Sequence, residues 1–139
     1  YRVMAKRYLI NIFLLIAVLC GFSSCEEDPY YDPYEEATYD LCQAAWADEY
    51  TTNDGRECLQ ILTFYSDRTG RDNRTYYYLN GATQTEDIPF YWEWDNGYTD
   101  ALYIEYPDRN GIWLEDIRYG YNTMRCLYDG VDVTFDAFY

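Results

Sequence analysis

The stretch MRCLYDGVDVTFDAF (124–138) decides the fold. In its second half Val131, Val133, Phe135 and Ala137 alternate with Asp132, Thr134, Asp136 and Phe138. That period of two belongs to a strand with one buried face. Between the halves stands Asp129-Gly130, a pair suited to a two-residue hairpin because glycine adopts positive φ without strain. Such a turn sets Tyr128 opposite Val131, Cys126 opposite Val133 and Met124 opposite Phe135. Every cross-strand pair on the predicted inner face is apolar, so turn chemistry and side-chain pattern agree on one register.

The same alternation recurs upstream. Candidate strands are AAWADEY (44–50), CLQILTFYS (58–66), RTYYYL (74–79), IPFYWEWD (88–95), ALYIEY (101–106), IWLEDI (112–117) and NTMRCLY (122–128). Turn residues separate them: Asn53-Asp54-Gly55, Asp67 to Gly70, Asn80-Gly81, Asp95-Asn96-Gly97, Asn110-Gly111 and Gly120. At the Asp95-Asn96-Gly97 turn, a two-residue connection would face Glu93 with Asp100. A three-residue loop avoids that and predicts Trp94 against Tyr98 and Phe90 against Leu102. The fold class is therefore all-β, an antiparallel up-and-down meander of about eight strands over residues 41–139. Its apolar face and its two open edges are both removed by closure into a small barrel or a curled sandwich.

The first strands carry a resemblance. WADEY, CLQILTFYSDRTGR and FYWEWDNG are similar to the opening of bacterial lipocalin-like domains, with Trp46 on the first strand and Leu62-x-Phe64 followed by Gly70. The resemblance implies a β-barrel or half-barrel and names no ligand.

The amino-terminal part reads differently. Met4-Ala5-Lys6-Arg7 is basic, and Tyr8 to Leu19 is a 12-residue apolar run. As a helix it would reach ~18 Å, short of a ~30 Å hydrocarbon core, which is the length of an export signal. Gly21, Phe22, Ser23 and Ser24 before Cys25 resemble the lipobox of bacterial lipoproteins, although Phe22 stands where leucine is usual. Cys20 is the rival, but bulky Leu19 precedes it. The resemblance implies cleavage before Cys25 and acylation of that cysteine. Glu26-Glu27-Asp28 directly after it resembles the export tag of surface lipoproteins in the Bacteroidetes. The expected organisation is a signal peptide (1–24), an acylated cysteine with an acidic, disordered or extended tether (25–40), and a lipocalin-like β domain (41–139). The expected address is the outer membrane, on the cell surface, held by acyl chains.

Seven arginines would remain against 25 carboxylates once Arg2, Lys6 and Arg7 leave with the signal, a net charge of −18. Such a field repels nucleic acid phosphates and anionic membrane surfaces.

Histidine is absent and no lysine follows Lys6. That removes Ser-His-Asp and Cys-His nucleophiles, histidine zinc sites and lysine Schiff bases. The carboxylate pairs Glu93/Asp95 and Glu115/Asp116 could serve a hydrolase, but read first as outer-face and turn residues. SDRTGRDN (66–73) and DNGYTD (95–100) place acids near glycine without the spacing of a calcium loop. No metal or cofactor is expected, and no catalysis. Trp92, Trp94, Trp113 and Tyr76-Tyr77-Tyr78 could stack on a flat ligand; as strand formers they equally suit the core of a thin barrel. Cys58 and Cys126 share the inner parity, so a disulfide between them and buried free thiols both stay open. The expected role is binding or envelope structure. A protein partner and a small apolar or carbohydrate ligand remain alternatives, to be separated by whether the barrel is hollow or filled.

Overall fold

The computed structural model describes residues 32–139. Within them, Pro33–Tyr139 form one compact unit. A helix α1 (Pro33–Cys42) precedes eight strands: β1 (Ala45–Thr51), β2 (Glu57–Phe64), β3 (Thr69–Tyr77), β4 (Thr83–Trp94), β5 (Leu102–Glu105), β6 (Ile112–Gly120), β7 (Thr123–Tyr128) and β8 (Val131–Phe138). Each strand pairs antiparallel with the next, and β8 returns to β1, closing an up-and-down barrel. The expected fold class is the one formed.

The Asp129-Gly130 hairpin has the register expected from its sequence, with Tyr128 opposite Val131, Cys126 opposite Val133 and Met124 opposite Phe135. Burial along β8 is graded: Phe135 is 1 % exposed, while Val131 at the barrel rim is 63 % exposed. Alternation therefore names the face, and distance from the rim decides how deeply each residue is covered.

Three expectations need correction. The three-residue Asp95-Asn96-Gly97 loop is not formed; Trp94 pairs with Leu102, and the connection runs through residues 95–101. Other elements hold that longer loop: the Gly97 N–H donates to the Tyr34 hydroxyl at 2.8 Å, and the Ile117 N–H to the Asp100 carbonyl at 2.9 Å. Second, Gly70 is no turn residue. The turn is closed by Arg68 at φ 73°, and Gly70 sits on β3 opposite Phe64. A Cβ there would lie 2.2 Å from the Phe90 ring and 2.6 Å from the Thr63 carbonyl oxygen, so only glycine lets that ring pack against the sheet.

Third, the tether expected over 25–40 does not reach residue 40, because Pro33–Cys42 are helical. Pro33 is suited to a first helical turn, and Glu35 and Glu36 complement the positive helix terminus. Tyr34, Ala37, Thr38 and Leu41 recur at helical spacing and face the barrel. Leu41 is fully buried, and its carbonyl accepts the Trp46 indole N–H at 2.9 Å. Thr38 Oγ1 accepts the Trp94 indole at 3.0 Å and Arg68 Nη1 at 3.1 Å. The helix thus seals the end of the barrel where β1 begins.

Beneath it the interior is solid. Phe64, Phe90, Trp92 and Trp94 form a ladder of edge-to-face rings with centroids 5.4–5.9 Å apart. At ~25 cal/mol per Å² and ~200 Å² per ring, each buried aromatic contributes ~5 kcal/mol before entropy is subtracted. An eight-stranded barrel is just wide enough for side chains to fill it or for one small ligand. Here the helix half is filled.

Among the described residues no helix is long and apolar enough to cross a membrane. The signal peptide, Cys25 and the acidic tag lie outside the described residues.

Candidate functional site

The opposite half is polar. Strand register puts Asp48, Gln60, Arg74 and Glu86 side by side along the inner wall of β1 to β4. One step deeper the row is Trp46, Leu62, Asp72 and Ile88. Asp72 is therefore pushed among apolar neighbours, and it is 0 % exposed.

Its carboxylate is fully engaged. Arg74 donates through Nε at 3.1 Å and Nη2 at 2.8 Å, a two-pronged contact. Gln60 Nε2 lies 3.1 and 3.2 Å from the two carboxylate oxygens and 3.2 Å from the Tyr128 hydroxyl. The Tyr106 hydroxyl donates at 2.7 Å. Burial raises the Tyr106 phenol above its usual value, and the adjacent Asp72 charge adds to that. Tyr106 therefore stays a neutral donor. A buried pair of this kind is held by its geometry and its extra hydrogen bonds; removing one partner leaves the other charge uncompensated.

Above this network opens a cleft of about 490 Å³. Asp48 and Tyr50 of β1 line it together with Tyr128 and Asp129 from the end of β7 and its turn, β8 lying between the two strands. Val133 and Phe135 of β8 supply the apolar side, and Gln60 and Arg74 the floor. Burial raises the Asp48 carboxyl above its usual value, and the carboxylates of Asp136 and Glu49 raise it further, partly offset by the Glu49 backbone N–H. Burial also raises the phenols of Tyr50 and Tyr128, so both rings are neutral at physiological pH.

The sequence candidates fall elsewhere. Trp92 and Trp94 lie in the packed half, 2 % and 8 % exposed, with no face open to a ligand. The Trp92 indole donates to the carbonyls of Tyr65 and Thr69, and Arg68 stacks on its ring at 4.5 Å. Trp113 is on the outer wall, its ring 5.1 Å from that of Tyr103. Of the tyrosine run, Tyr76 points inward and is buried under the Arg56 guanidinium, while Tyr77 and Tyr78 are exposed.

Glu93, Glu115 and Asp116 point outward, and Asp95 sits in a loop. Asp116 pairs with Arg118 at 3.0 Å, beside an irregularity in the β6–β7 pairing. Within SDRTGRDN, Asp67 accepts the Thr69 N–H and hydroxyl, while Asp72 belongs to the buried network. Among the described residues no group of metal-ligating side chains is assembled. Cys42, Cys58 and Cys126 are free thiols, and burial pushes Cys126 up to about 12.

Sequence reading missed Gln60, Asp72 and Arg74. A signal was present: if Phe64 and Gly70 face inward, parity carries Asp72 and Arg74 inward too. No family model matches the chain, and comparison with curated proteins and with solved structures found no match.

Proposed function

We propose that this chain is a lipid-anchored, non-catalytic binding protein whose β-barrel takes a small ligand at its open end. The observation that carries the reading is the cleft of about 490 Å³ over the Asp72 network. It combines an apolar side, two tyrosine rings and a few convergent polar groups, the composition usual for small-molecule sites. The packed, helix-sealed half is a rigid base for it. Stability alone does not explain the buried Asp72–Arg74 pair, because apolar residues there would fold at least as well.

The ligand reading is tested by NMR titration of the isotope-labelled protein with a set of small amphipathic compounds. Shift changes should gather at Tyr50, Tyr128, Val131 and Val133 and spare Trp92 and Leu102. Val133→Trp, which fills the cleft, should abolish them while leaving the fold intact. Unaltered binding in that variant would remove the reading.

Anchoring rests on the residues before Cys25 and the acids after it. Two or more acyl chains suffice for stable attachment. Cys25→Ala should move the protein from the membrane to the soluble fraction. Alanine at Glu26, Glu27 and Asp28 should end protease accessibility on intact cells. Retention of either property counts against that part.

A further inference from the structure

We infer that the ligand of the mouth cleft is an organic cation, an ammonium group carried on a small apolar or aromatic body. The inference rests on the reading of the cleft as a binding site. It comes from the charge account of the cleft together with the chemistry of its walls.

Six of the seven arginines among the described residues are spoken for by carboxylates: Arg56 by Asp54, Arg71 by Asp87, Arg74 by Asp72, Arg109 by Glu86 and Asp108, Arg118 by Asp116 and Arg125 by Asp132. The seventh, Arg68, lies at the sealed end against Thr38 and Trp92. Among the described residues no arginine pairs with Asp48 or Asp129, the two carboxylates that line the cleft. Among the described residues Arg74 is the one cation in the lining, and its fork is turned onto Asp72 at 2.8 Å. The cleft therefore presents negative charge that no cation among the described residues offsets.

The walls suit an organic cation better than a bare metal ion. Two carboxylates are too few to replace a metal's hydration shell. Tyr50 and Tyr128 instead offer neutral ring faces, whose quadrupoles attract a desolvated ammonium. Val133 and Phe135 take the apolar body. The wider field acts in the same sense, since residues 32–139 carry 22 carboxylates against seven arginines. An anionic ligand would meet repulsion at every range. A neutral sugar would hydrogen-bond Asp48 and Asp129 but leave their charge uncompensated.

The test is calorimetric titration of the purified full-length protein with three probes of similar size. These are 2-phenylethylammonium, 2-phenylethanol and 3-phenylpropanoate. The ammonium should bind tightest, the alcohol about tenfold more weakly, and the carboxylate weakest. Asp48→Asn should reduce ammonium affinity by about tenfold and leave the alcohol unchanged. Val133→Trp should block both. Alcohol or carboxylate binding as tightly as the ammonium, still blocked by Val133→Trp, overturns the cation and leaves the cleft. The same holds if Asp48→Asn, folded by its melting curve, binds the ammonium unchanged. Absence of binding by all three overturns the cation and the cleft reading together.

Discussion

At one end of this barrel a helix closes over Trp46, Phe64, Phe90, Trp92 and Trp94, and the space is filled with rings. At the other end the same strands, in the same parity, turn Asp48, Gln60, Arg74 and Tyr128 inward, and the space stays open. Backbone geometry is common to both ends, so the contrast lies in side-chain volume and charge. Stability is concentrated where shape is filled; chemistry is concentrated where it is not. The boundary between the two is Asp72, whose carboxylate belongs to the polar network while its strand neighbours Leu62 and Ile88 belong to the core.

Breaking that boundary should have the largest effect. Asp72→Ala leaves Arg74 half-buried without its partner and should cost about 3–5 kcal/mol in urea denaturation. The double change Asp72→Leu, Arg74→Met should recover most of it, because an apolar pair needs no counter-charge. A double variant as unstable as the single one would mean that packing, not charge compensation, sets the cost.

The sealed end is probed next through its lid. Leu41→Ala removes a fully buried side chain and should destabilise by about 2–5 kcal/mol. Were Pro33–Cys42 merely a tether, the change would be silent. Gly70→Ala follows, at about 1–3 kcal/mol for overpacking against Phe90. Phe90→Leu in the same chain should relieve part of that, and equal cost in both backgrounds would place the strain on the Thr63 carbonyl instead.

The two ends were unequally legible in the sequence. Strands β1, β2, β4, β5, β7 and β8 could be read because period-two apolar runs were bracketed by Gly turns. The hairpin at Asp129-Gly130 even gave its register, since pattern and turn pointed the same way. At residues 95–101 the local turn signal lost to tertiary hydrogen bonds, from Gly97 to Tyr34 and from Ile117 to Asp100, which no local rule sees. Helix α1 was hidden by its charge: acids and tyrosines around Pro33 resemble a linker, yet Tyr34, Ala37, Thr38 and Leu41 trace a helical stripe. The site was the least visible part. Asp72 and Arg74 look like exposed strand residues in RDNR until the register with Phe64 and Gln60 fixes their side, and a barrel interior is assumed apolar until a carboxylate is found there. Size alone does not mark a tryptophan as a ligand contact, because large rings are what a filled half consumes.

The smallest predicted effect has the opposite sign from the others, and that makes it informative about the open end. Asp48 lies in one inner-wall row with Gln60 of β2 and Arg74 of β3, lines the cleft together with Tyr128 and Asp129, and lies near Glu49 of its own strand and Asp136 of β8. Burial, then the Asp136 and Glu49 charges, raise its carboxyl above the ordinary value of 3.8, so the folded state holds that proton more tightly than the unfolded chain. Stability from this group is therefore full below the unfolded value and is lost as pH rises through the raised folded value. At pH 7 the ionised carboxylate is a net cost to folding. Asp48→Asn should raise stability at neutral pH, seen as a higher melting temperature, by less than about 1 kcal/mol because solvent screens the group. The gain should vanish below the pH at which Asp48 is protonated in both states. A position that weakens folding and yet lines the cleft is what a binding site, rather than a scaffold, would retain. Melting curves of the two proteins that coincide at every pH would place Asp48 in water, and would remove the contrast between a filled end and an end kept polar at a cost.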